Sequence, residues 1–180
     1  MTFDDVLESI VKTEGGYTNN PADLGGETVW GITVATARLN GYVGHMKAMP
    51  RATAKEIYKS EYIDKPKFNE VFLINQRIGV EVVDTAVNMG IATATMMMQR
   101  ALNVFNDSGR LYPDITVDGA LGPKSMTCLK LYLSNRGKLG EIVFVRCLNA
   151  LQGEHYVDIT EKRQKNEEFI FGWFANRVVI

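Results

Sequence analysis

The chain has little cysteine, little proline and no long apolar run. Two cysteines among 180 residues, Cys128 and Cys147, cannot build a disulfide framework, and they read as small buried thiols. No stretch reaches the roughly 18 apolar residues of a membrane span, so membrane insertion is not expected. Neither sign of charge dominates: 20 Lys plus Arg stand against 21 Asp plus Glu, for a net charge of −1. That balance argues against a protein whose affinity for nucleic acid or anionic lipid rests on bulk charge. The opening residues Met1-Thr2-Phe3-Asp4-Asp5 are acidic and lack the basic start of a signal peptide, so cytoplasmic synthesis is expected. His45 and His155 form no zinc pattern, Asp107, Asp114 and Asp118 do not match a calcium loop, and no Gly-x-Ser-x-Gly or phosphate-binding glycine loop occurs. No metal or organic cofactor is implied.

What is present is ordinary for a globular protein. Hydrophobic residues make up 46% and charged residues 23%, enough for one domain or two small lobes with a real core. Val6, Leu7, Ile10 and Val11 recur at helical spacing, and Asp4 and Asp5 suit the positive end of a helix that stops at Gly15-Gly16. Residues 17–33 hold turn chemistry, with Thr28 to Thr33 predicted as a short strand. Helices are expected at about 34–40, 52–63, 75–89, 92–105, 123–133 and 138–156, with a helical end over 169–180. Residues 107–122 read as loop, and Pro123 suits the first turn of a helix. The likeliest seam between lobes is near Gly90, giving domains 1–90 and 91–180. The expected class is mainly α, with one small β element.

Glu14 stands out on physical grounds. It sits at the C-terminal end of a predicted helix, where the macrodipole disfavours a carboxylate and pushes its pKa upward. A carboxyl group that keeps its proton near neutral pH is what a general acid needs. Asp23, Glu27 and Thr28 follow on the irregular excursion, supplying a second carboxylate and a hydroxyl able to position water. Paired acids flanking a bond are the apparatus of glycoside hydrolysis. On spacing alone two readings stay open: this apparatus, or a Glu that solvates a helix end beside an Asx turn at Asp23.

Resemblance adds to the residues. Glu14-Gly15-Gly16-Tyr17, Asn20-Pro21-Ala22-Asp23, Gly25-Gly26-Glu27-Thr28 and Gly31-Ile32-Thr33 together resemble the signature of glycoside hydrolase family 108. The likeness continues through Asp84-Thr85-Ala86-Val87-Asn88-Met89-Gly90 and Gln99-Arg100-Ala101-Leu102-Asn103. Val117 to Pro123 and Phe171 to Val178 look like that family's C-terminal peptidoglycan-binding domain. These are N-acetylmuramidases, known as phage endolysins and as bacterial secretion-activating proteins. The resemblance implies a lysozyme-like fold, general acid catalysis by Glu14, and cleavage of the β-1,4 bond between N-acetylmuramic acid and N-acetylglucosamine. Phage-type lysozymes more broadly show Glu, eight residues, Asp or Cys, five residues, Thr. Here Glu14 to Asp23 fits and Asp23 to Thr28 is one residue short, so Asp23 and Thr28 are assigned by analogy. Where many relatives have a Tyr-Trp pair, this chain has Tyr62-Ile63, and Tyr58 or Trp30 is the alternative source of a sugar-stacking ring.

Tyr17 and Trp30 are amphipathic aromatics suited to stacking on sugar rings or to plain packing. Asp84 and Asn88, four apart on one helix face, read either as a glycan-binding cleft wall or as a polar bridge to the loop beyond Glu14. Gln99 carries the same pair of readings. The expected partner is the peptidoglycan glycan strand, met in the periplasm or cell wall after release or export, by a protein that acts as a monomer. A non-catalytic wall-binding module and a lytic transglycosylase are the alternatives to hydrolysis.

Overall fold

A computed structural model of the chain describes residues 3–13, 16–19 and 26–178. These fall into two compact units, residues 1–66 and 67–180. The two family-like stretches meet instead near Gly90, so units of packing and stretches of resemblance do not coincide.

The first unit starts with α1 (Phe3–Thr13), whose first turn carries Asp4 and Asp5. Val6, Leu7 and Val11 are buried on one face, the face that the 3.6-residue period selects. Its Glu8 meets Arg51 at 2.6 Å and also pairs with Lys55, both from α3 (Arg51–Lys59). The segment predicted as one strand is instead a hairpin. β1 (Thr28–Val29) pairs antiparallel with β2 (Ile32–Thr33), Thr28 opposite Thr33 and Val29 opposite Ile32. Its two-residue turn places Trp30 at φ 54° and Gly31 at φ 74°. Positive φ at both central residues matches the strand twist in a tight hairpin. A bulky residue there is strained, and two contacts hold it: the Trp30 indole N–H donates to the Met49 carbonyl at 3.1 Å, and the Tyr58 hydroxyl donates to the Trp30 carbonyl at 3.0 Å.

Thr33 then caps α2 (Val34–Leu39), its hydroxyl oxygen accepting from the Thr36 N–H. A single 3-10 turn, Met46–Ala48, precedes α3, and a π turn, Ser60–Asp64, follows it. Tyr58, offered above as a sugar-stacking ring, is buried at 5% exposure. Its ring packs beside Tyr62, centroids 5.5 Å apart, which corrects that expectation.

The second unit is helical. α4 (Phe68–Ile74) was not expected from the sequence. It precedes α5 (Gln76–Met89) and α6 (Ile91–Val104), separated by Gly90. α7 (Pro123–Glu161) joins the two helices expected at 123–133 and 138–156, and α8 (Glu167–Arg177) closes the unit. α7 is interrupted at Gly137, φ 57° and ψ −147°, a conformation open to glycine. Tyr132 spans that break by donating its hydroxyl to the Gly140 carbonyl at 2.9 Å. Its ring stacks on Phe105 and tilts against Phe144, so the bend is anchored in the core.

Among the described residues no helix is long and apolar enough to cross a membrane. Cys128 and Cys147 are both free, and burial pushes each thiol's pKa up.

Candidate active site

Of the residues assigned to catalysis, Glu14 and Asp23 lie outside the described residues. Residues 16–19 between them and the hairpin beyond them are described. Thr18 bridges Thr28 through two backbone hydrogen bonds of 2.8 and 2.9 Å, which lays the Tyr17-Thr18 segment along β1. Thr28 is half-buried, and its hydroxyl donates weakly to the Gly26 carbonyl at 3.4 Å. Of the residues chosen from the sequence, Tyr17 thus lies on the segment bridged to one small hairpin, and Thr28 and Trp30 lie on the hairpin itself. Its inner face is fastened by buried Val29 and Ile32.

One pairing there was missed by sequence reasoning. The Tyr17 hydroxyl donates to Glu27 Oε1 at 2.6 Å, a length typical of an O–H bonded to an ionised carboxylate. That bond, followed by burial, holds the Tyr17 pKa above its ordinary value. The Lys47 ammonium lies over the Tyr17 ring, 4.8 Å from its centroid. Residues ten apart and thirty apart in the chain meet here through tertiary structure, and no local spacing signals them.

The remaining candidates belong to the second unit. Gln99 is 1% exposed. Its amide nitrogen donates to Asp118 Oδ1 and to the Ala120 carbonyl, and its oxygen accepts from the N–H groups of Asp118 and Gly119. All four hydrogen-bonding positions of the amide are engaged. Asn103, further along α6, and Asn106, just past its end, hold the same loop at Ile115 and Asp114. Gln99 is therefore a fastener of the α6–α7 loop, which corrects its reading as a glycan contact.

Asp84 meets Arg177 of α8 at 3.0 Å, and the Asn88 amide donates back to the Asp84 carbonyl at 2.7 Å. Burial pushes the Asp84 pKa up, against the pull of Arg177. Asn88 is exposed.

The same helix holds a titratable group that the sequence did not single out. Glu81, one turn before Asp84, has its pKa pushed up to about 7, chiefly by burial, with Asp84 adding to the rise and Asn149 and Arg77 opposing it. Glu81, Asp84 and Asn88 form one stripe of α5, and Asn149, Gln152 and Tyr156 form the same i, i+3, i+7 stripe of α7. A polar seam thus runs between two core helices. Glu81 Oε1, Gln152 Oε1 and the Tyr156 hydroxyl are buried in it without a hydrogen-bond partner among the described residues. The paired stripes were the available signal.

Among the described residues no group of three His, Cys, Asp or Glu side chains could hold a metal ion.

A helical body carrying a small hairpin just after its first helix defines a lysozyme-like fold, and the class is glycoside hydrolase. The family model for Glycosyl hydrolase 108 matches residues 7–90, and that for a Predicted Peptidoglycan domain matches residues 93–178. Residues 7–90 are thus a glycosyl hydrolase 108 domain and residues 93–178 a peptidoglycan domain, and the chain is a peptidoglycan hydrolase. The solved structure of Brucella abortus SagA is similar in fold, with a TM-score of 0.63 and 21% identity over 96% of this chain and 87% of that one. No curated protein matches the chain.

Proposed function

We propose that the chain is an N-acetylmuramidase, cleaving the β-1,4 bond between N-acetylmuramic acid and N-acetylglucosamine with Glu14 as general acid. Glu14 donates its proton to the departing glycosidic oxygen. Asp23 stabilises the oxocarbenium-like centre or activates water, and Thr28 orients that water. Tyr17 and Trp30 stack on sugar rings, and Asp84 and Asn88 contribute polar contacts to the glycan. Residues 1–90 carry the hydrolytic chemistry and residues 91–180 hold the wall. The protein acts as a monomer on cell-wall glycan.

The observation that supports this reading best is the hairpin. The segment that follows Glu14 in the family's motif is laid against β1 by the Thr18–Thr28 bridge. Tyr17 and Thr28, both motif residues, are thereby brought to one edge. Acid-catalysed glycoside cleavage requires a carboxyl proton donor and a positioned water, the roles proposed for Glu14 and Thr28.

The test is Glu14→Gln, which keeps shape and removes the proton. Activity on purified murein, read as new reducing ends, is expected to fall by about 10²–10⁴-fold, the usual contribution of general acid catalysis. Full activity in that variant would end the assignment. Binding to murein with no release of reducing ends by the wild type would instead identify a wall-binding module.

A further inference from the structure

We propose that Lys47 is a specificity-determining residue, a fixed cation that recognises a carboxylate of the peptidoglycan substrate. This rests on the muramidase reading above.

Lys47 is exposed, yet its position is not that of a free surface lysine. It sits in the 3-10 turn Met46–Ala48, whose flanking side chains Met46 and Met49 are both buried. The Met49 carbonyl is tied to the Trp30 indole on the hairpin turn. The turn is therefore pinned at both ends to the unit that carries Tyr17. The ammonium is held over the Tyr17 ring, while that ring is fixed at its far end by the hydroxyl bond to Glu27.

Among the described residues Lys47 has no carboxylate within ion-pair distance, whereas Arg51, Lys55 and Lys65 of the same unit are each paired with one. A cation with no carboxylate partner among the described residues, preorganised beside the aromatic ring assigned to the sugar, is placed to meet an anionic substituent of that sugar. Peptidoglycan differs from uncharged aminosugar polymers in bearing such groups. The 3-O-lactyl carboxylate of muramic acid is one source, and the carboxylates of the stem peptide are the other. Both present the same chemistry to an ammonium group.

The experiment uses the full chain with Lys47→Met, which keeps the aliphatic stem over the ring and removes the charge, and Lys47→Arg, which keeps the charge. Steady-state cleavage is measured on three glycans: strands with stem peptides, strands stripped of peptides so that the lactyl carboxylate is free, and stripped strands whose lactyl groups have been amidated. Lys47→Met is expected to raise KM about three- to fivefold on a carboxylate-bearing strand with kcat unchanged, as for a partly exposed charge pair. Lys47→Arg restores the wild-type KM. On amidated strands wild type and Lys47→Met are expected to agree, because the partner is gone. An effect confined to stripped strands identifies the lactyl group, and one confined to intact strands identifies the stem peptide. Equal KM for wild type and Lys47→Met on every strand, or an equal loss on the amidated strand, overturns the proposal. Calorimetric binding of the stripped strand reads the contact without cleavage, so a chain that binds through Lys47 but releases no reducing ends would sink the muramidase reading and leave this one standing.

Discussion

Glu81 gives a stability experiment whose sign and size follow from the structure. A buried carboxyl raised from its ordinary 4.5 to about 7 binds a proton more tightly in the folded chain than in the unfolded one. Its contribution is fully present below pH 4.5, is lost as pH rises through about 7, and is absent at pH 8. At about 1.4 kcal/mol per pH unit the interval corresponds to about 3 kcal/mol. Glu81→Gln keeps the shape and cannot ionise, so this part of the pH dependence is absent from the variant. Asp84, whose pKa is also raised by burial, titrates in both proteins, and the difference between wild type and variant isolates Glu81. Trp173 stacks on Tyr156 of the same seam, ring centroids 4.9 Å apart. In a Trp30→Phe background it is the sole tryptophan, so its fluorescence during urea unfolding reports the unit that holds Glu81. The variant is expected to gain about 3 kcal/mol on wild type between pH 4.5 and pH 8. A difference that does not change with pH would refute the buried-acid reasoning.

Two further substitutions test the packing of the second unit. Gln99→Leu removes all four amide contacts to the 118–120 loop while keeping similar volume, and is expected to cost about 2–3 kcal/mol in urea unfolding, because the loop's donors and acceptors lose buried partners. Gly137→Ala forces a side chain into the left-handed break of α7 and is expected to cost about 1–3 kcal/mol, read as a lower thermal midpoint.

The parts of this molecule that were legible in the sequence are those governed by local pattern. The apolar spacing of Val6, Leu7 and Val11 marked α1, and the interval between Leu133 and Lys138 marked the interruption that Gly137 makes in α7. The hairpin read as one strand because its turn is Trp30-Gly31, without the Asn or Asp that usually announces a positive-φ pair. α4 was missed because it is seven residues long and begins after Lys67 in a left-handed conformation, with no capping side chain. In the site, Tyr17, Thr28 and Trp30 could be chosen by residue type and motif; Thr28 and Trp30 lie on the hairpin and Tyr17 on the segment bridged to it. The Tyr17–Glu27 bond and the Lys47 contact join segments through space and leave no trace in spacing. For Gln99 residue type and motif left a ligand contact and a structural bridge both open, and only the packed loop, which consumes its amide, decides between them. Glu81 was not singled out by any local signal, and packing against the polar stripe of α7 makes it a buried acid.

The central claim is the chemistry at the bond, and mass spectrometry of fragments released from purified sacculi tests it most directly. The account predicts products with a reducing N-acetylmuramic acid end from the wild type, and release of the same products slowed by about 10²–10⁴-fold in Glu14→Gln. Products ending in 1,6-anhydro-muramic acid, or in reducing N-acetylglucosamine, would contradict it.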